Sequence, residues 1–156
     1  MSNLINKKFL IVLLTIISLA LVSTFIIEHQ LGYQPCKLCI YERIPYFLAI
    51  LFIINIFFVK SYERITLLIL SLIFIASSIL AFYHFGIEQG FFEESLFCKA
   101  ESLTKEELLK ELSQNTISCK DVSFKILGFS LASINTIFSI ILSVIFAKLF
   151  KNYGKN

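Results

Sequence analysis

Two cysteines, Cys36 and Cys39, stand two residues apart in the stretch Pro35-Cys36-Lys37-Leu38-Cys39-Ile40-Tyr41-Glu42-Arg43. A C-x-x-C spacing brings both sulfurs within bonding distance, and its local field commonly depresses the pKa of one thiol. A bridge across two intervening residues constrains almost nothing in an unfolded chain, so a structural purpose explains this pair poorly. Two further cysteines, Cys98 and Cys119, lie downstream. A disulfide closing that 22-residue loop would stabilise it by roughly 3 kcal/mol through chain entropy, a sufficient structural reason by itself. For the four sulfurs, spacing leaves a redox couple, a structural bridge and a metal site open. A four-thiolate site fits badly because Cys98 and Cys119 lack the paired spacing of zinc ribbons. Haem attachment fits badly because Ile40, not histidine, follows Cys39.

Arg43 sharpens the redox reading. On a continuous helix it lies one turn beyond Cys39 on the same face, where a fixed positive charge favours a thiolate and would stabilise a reduced acceptor. An arginine snorkelling to lipid headgroups satisfies the same sequence. Pro45 removes a hydrogen bond to the Tyr41 carbonyl, so it either opens the second helix or kinks one begun earlier. His84 is placed to bond an acceptor's oxygen or exchange a proton, or to be an interfacial histidine with a backbone partner. Asn55 and Asn135 read as interhelical glue. Phe91, Phe92 and Phe97 read first as an interfacial belt and second as a partner surface.

The elements that must position these groups are membrane helices. Charged residues make up 16% of the 156, against roughly 25% in a soluble domain, and mean hydropathy is +0.82. The basic residues form no patch interleaved with aromatics, and no glycine-rich phosphate loop occurs, so nucleic-acid binding and soluble nucleotide chemistry are disfavoured. Four apolar runs stand out: Phe9–Ile27, Ile44–Val59, Ile65–Phe85 and Ile126–Ala147, of 19, 16, 21 and 22 residues. About 20 residues cross the hydrocarbon, so the second helix must begin near Cys39, which sets the C-x-x-C at the membrane boundary. The first run is longer than the 7 to 15 apolar residues of a signal peptide and no A-x-A site comes after it, so it reads as a spanning helix.

The expectation is one all-α membrane domain over residues 1–156, a bundle of four transmembrane helices near 9–27, 40–59, 65–85 and 126–147. Exported loops fall at 28–39 and 86–125, the second carrying a short amphipathic helix. Thr104–Glu107 supplies its capping box, ahead of Leu108, Leu109 and Leu112 on one face. Segments holding both termini and the Lys60–Arg64 turn carry a net +6 packed beside helix ends, whereas the opposite side carries −3. Both termini are therefore expected in the cytoplasm and all four cysteines on the exported, oxidising side.

These residues resemble the disulfide bond formation protein B (DsbB) family of bacterial inner-membrane thiol oxidases, over nearly the whole chain. The resemblance rests on the segment from Pro35 to Arg43, on Tyr83-His84 and on Gly86 through Phe92 ahead of Cys98. It continues through Cys119-Lys120-Asp121 and Gly128-Phe129-Ser130-Leu131-Ala132 at the last helix. It implies a four-helix bundle that reoxidises a periplasmic, DsbA-like protein of thioredoxin fold and passes the electrons to a membrane quinone, ubiquinone or menaquinone. By the same resemblance Cys98 takes the partner's attacking thiol, with Cys119 as its bridge partner. Cys36 and Cys39 form the pair reoxidised by quinone, Cys39 being the thiolate that faces the ring and Arg43 assisting. A partner of that type, near −120 mV, is too oxidising for glutathione near −200 mV to recharge, a known property of this pathway.

Overall fold

A computed structural model describes residues 7–59, 62–93, 98, 119–120, 125–126 and 128–153. Helix α1 spans Lys7–His29. A short helix α2, Lys37–Tyr41, is joined through a turn to α3, Ile44–Phe58. Helix α4 runs Glu63–Glu88. Strands β1, Lys125–Ile126, and β2, Phe129–Ser130, form an antiparallel pair, and α5, Leu131–Tyr153, closes the described chain. Four helical segments are long and apolar enough to cross a membrane: α1, α2 with α3 (22 residues), α4 and α5. The chain is a multi-pass membrane bundle.

Small residues hold the bundle together. α4 packs most extensively on α5. Their shared face carries Ser71, Ser77 and Ala81 against Ala132, Ser139 and Ser143, all buried. Small side chains let two backbones approach closely, which lipid rewards because hydrocarbon offers no hydrophobic drive between helices. Hydroxyls then bond across the seam: Ser77 to Ser139 at 3.1 Å, and Ser71 to the Ser143 carbonyl at 3.5 Å. Ile17, Ala49, Ile53, Leu67, Leu70 and Phe146 are fully or almost fully buried around it. Tyr46 stacks on Phe138 and meets Phe74 edge-on at 5.7 Å. The outward residues are apolar too, among them Leu19, Leu51, Phe58, Ile79 and Ile137, as a surface bathed in lipid requires.

Four expectations change. The last helix begins at Leu131, not 126, because Lys125 pairs with Ser130 and Ile126 with Phe129 across a turn at Gly128. Gly128, at φ +88°, supplies the positive φ of that turn, and the Ser130 hydroxyl then caps α5 by accepting from the Ser133 amide at 3.2 Å. The second crossing is two helices with a break at Glu42–Arg43, and Pro45 sits in the first turn of α3, where its missing N–H costs nothing. Asn55 is exposed and bonds to no other helix among the described residues, so only Asn135 acts as glue. Helices α1 and α4 overrun their apolar cores, to His29 and Glu88, which shortens the loop between α1 and α2, whereas the later start of α5 offsets the gain in the loop after α4. Phe97 and the amphipathic segment at 104–112 lie outside the described residues.

Candidate functional site

Cys36 is the N-cap of α2. Its sulfur accepts a hydrogen bond from the Cys39 amide at 3.2 Å, and the two sulfurs of this free thiol pair lie 2.7 Å apart. Pro35 precedes it and Gly32, at φ +72°, turns the chain out of α1, so the approach to the cap is extended. The Cys39 thiol and the amides of Cys39 and Leu38 hold Cys36 below the usual thiol range, against the opposing effects of burial and of Glu42. Cys36 is buried and Cys39 partly so.

A histidine and a carboxylate stand behind this pair. His84, one turn from the end of α4, places Nε2 3.4 Å from the Cys36 sulfur. Its Nδ1 lies 2.7 Å from Glu42 Oε1, in the break between α2 and α3. A carboxylate only accepts, so Nδ1 is the donor in that contact and Nε2 is the ring nitrogen turned toward sulfur. The other Glu42 oxygen accepts from Asn135 Nδ2 at 2.7 Å, and Asn135 Oδ1 accepts from the Tyr46 hydroxyl. Tyr46 also lies 3.4 Å from Ser139. A continuous polar line thus runs from Cys36 through His84, Glu42 and Asn135 to the serine seam of α4 and α5. The sequence marks Cys36 and His84 as candidates; their joining by Glu42 carries no local signal, because the three partners are separated by 42 and 93 positions.

Arg43 points the other way, donating to Glu28 at the end of α1 at 2.5 Å and covering the Phe25 ring at 5.0 Å. It and Cys39 line a cavity of about 320 Å³, together with Glu42, His84, Glu88 and Asn135 at its polar end. Leu21 and Ile27 of α1 face Leu131, Ile134 and Phe138 of α5 across its apolar part. A largely apolar cleft with a handful of convergent polar groups is the usual form of a small-molecule site.

Cys98 and Cys119 are bonded to each other, with Cα atoms 5.5 Å apart. That bond removes them from any four-thiolate metal site. Both are buried in one cluster with Cys36, Leu38 and Ile87, so the two cysteine pairs meet at the same end of the bundle. The chain leaving α4 enters this region through a turn at Gly90, φ +77°, in which the Phe91 and Phe92 amides both donate to the Gly86 carbonyl. The Phe92 ring then lies on Gly86, where any β-carbon would collide with it, and packs on Tyr83 at 5.7 Å. Phe91 stays exposed.

Comparison with known proteins agrees with this arrangement. The family model described as disulfide bond formation protein DsbB matches residues 6–149. An uncharacterized protein, RP370, of Rickettsia prowazekii (strain Madrid E) is 32% identical over 152 residues, covering 94% of this chain and 88% of that protein. No solved structure gives a significant match. With the family pattern running through all four spanning segments and both cysteine pairs, the chain belongs to the DsbB family, the membrane oxidoreductases of disulfide bond formation.

Proposed function

We propose that this protein reoxidises a DsbA-like periplasmic dithiol protein of thioredoxin fold and delivers the electrons to a membrane quinone, ubiquinone or menaquinone. The observation that carries this reading is the shared cluster of Cys36, Cys98 and Cys119, against which Cys39 packs, with the Cys36–Cys39 pair also on the wall of the cavity. Disulfide exchange needs sulfurs in contact, and a lipid-borne oxidant needs a separate approach. The charge asymmetry of the loops supports cytoplasmic termini and periplasmic cysteines.

The partner's thiolate attacks Cys98, breaking the Cys98–Cys119 bond and forming a mixed disulfide. The partner's second thiol releases oxidised partner and leaves Cys98 and Cys119 reduced. Exchange with an oxidised Cys36–Cys39 pair restores the Cys98–Cys119 bond and moves two electrons inward as the Cys36 and Cys39 thiols. His84 Nε2 takes the Cys36 proton, and Glu42 stabilises the imidazolium through Nδ1. Cys39 faces the cavity beside Arg43. The residues there fit a quinone head: an apolar slot with Arg43 and His84 as donors at one end. The quinone, when bound, accepts two electrons and two protons as the Cys36–Cys39 bond closes.

Replacing Cys39 with Ser should abolish quinone reduction, monitored by absorbance, while a partner complex through Cys98 still forms. Quinone reduction at the normal rate by that variant sinks the scheme. A scaffold whose bridges only brace loops gives another result: its thiol content stays unchanged after exposure to reduced partner and after later addition of quinone.

A further inference from the structure

Cys36, Cys39 and His84 bring two sulfurs and one ring nitrogen within 4.8 Å of one another. We propose that the reduced dithiol and His84 form a binding site for a thiophilic divalent cation, zinc or cadmium, and that capture of the cation holds the pair out of turnover. This three-residue centre needs neither Cys98 nor Cys119, which are bonded to each other in the structure.

The geometry is close to what a tetrahedral ion asks. With metal–sulfur bonds of about 2.3 Å and metal–nitrogen bonds of about 2.0–2.1 Å, a tetrahedron sets sulfur and nitrogen about 3.5 Å apart and two sulfurs about 3.8 Å apart. Cys36 Sγ and His84 Nε2 are already 3.4 Å apart. The sulfurs, now 2.7 Å apart, must separate by about 1 Å, a rotamer adjustment for Cys39, the less buried of the two. Glu42 completes the design, because a ligating histidine is oriented and made more basic by a carboxylate on its other nitrogen. Charge balances as well: two thiolates neutralise the dication, so the buried centre carries no net charge of its own.

Glu88 lies beside the ring of His84, outside the group of three. Its side chain is buried, one oxygen lies 3.9 Å from His84 Nε2, and the other has no hydrogen-bond partner among the described residues. Binding releases the two thiol protons and moves no electrons. An oxidised Cys36–Cys39 pair has no thiolate to offer, so only the reduced state takes the ion. Capture needs the dithiol and His84 alone, and stands whichever acceptor normally drains the pair.

The test uses full-length protein in detergent, reduced, freed of reductant and titrated with cadmium while thiolate-to-metal absorption is recorded. One ion per chain is expected in a Cys98→Ser/Cys119→Ser background, and none after oxidation of the remaining pair. Cys36→Ser or Cys39→Ser should remove the absorption, and His84→Ala should weaken binding at least 10-fold with helix content unchanged by circular dichroism. Should the background variant fold poorly, cadmium added to reduced wild-type protein must protect Cys36 and Cys39 together from alkylation, read by mass spectrometry. Unprotected sulfurs, or an affinity indifferent to His84→Ala, overturn the proposal.

Discussion

At the residue scale the site turns on Glu42, which the sequence presents as one more acid in a short polar stretch. Two of its neighbours in space are the groups that give it meaning: His84 on one oxygen and Asn135 on the other. Glu42→Gln keeps the size and the contact to Asn135 but removes the acceptor that fixes the His84 tautomer. Oxidation of the Cys36–Cys39 dithiol should slow about 100-fold, while capture of the partner at Cys98 proceeds at its normal rate. Stopped-flow quinone absorbance and trapping of the mixed disulfide separate the two. A variant slowed equally in both would place Glu42 in folding alone. The cysteines and Arg43 were legible because motif and spacing are local properties. Glu42 was not, since its role is written in contacts with α4 and α5 that no window of sequence contains.

At the scale of elements, apolar length carried the assignment of all four crossings, and turn chemistry decided where they start and stop. The run from Ile126 is continuous in hydropathy, yet Ile126, Phe129 and Ser130 are strand because Gly128 allows a positive φ and Ser130 caps α5. Hydropathy cannot distinguish an apolar strand end from an apolar helix end. Gly128→Val forces a β-branched residue to φ +88°. It should cost about 1–2 kcal/mol and lower the thermal unfolding midpoint in detergent and, under the proposed function, leave quinone affinity unchanged. Gly86 has a different reason to be glycine, contact rather than conformation. Gly86→Val should displace Phe92, cost about 1–3 kcal/mol, and show as faster proteolysis of the chain beyond α4. An unchanged cleavage pattern would mean the ring moves aside freely.

At the scale of the whole molecule, polarity is arranged inside out relative to a water-soluble bundle: hydroxyls and one amide run through the middle, and leucine, isoleucine and phenylalanine face outward. α4 and α5 form the most extensively packed pair, whereas α1 packs chiefly on α3. Its end is tied down by the Arg43–Glu28 ion pair and by Arg43 against Phe25. Arg43→Ala therefore removes both a cavity group and the clasp on α1. Under the proposed function it should raise the KM for quinone about 10-fold or more, an effect of order 1.4 kcal/mol, and speed hydrogen exchange at the α1 end. Arg43→Lys should restore part of the exchange protection but little of the affinity, because lysine lacks the flat, forked donor.

α1 and α5 both wall the cavity, yet among the described residues they scarcely touch each other. Under the proposed function, that gap between two lipid-bathed columns is the way in for an oxidant that arrives dissolved in oil. Its effective dose is then a mole fraction within the bilayer, so diluting the same protein and oxidant into more lipid should slow turnover even when their bulk concentrations stay fixed.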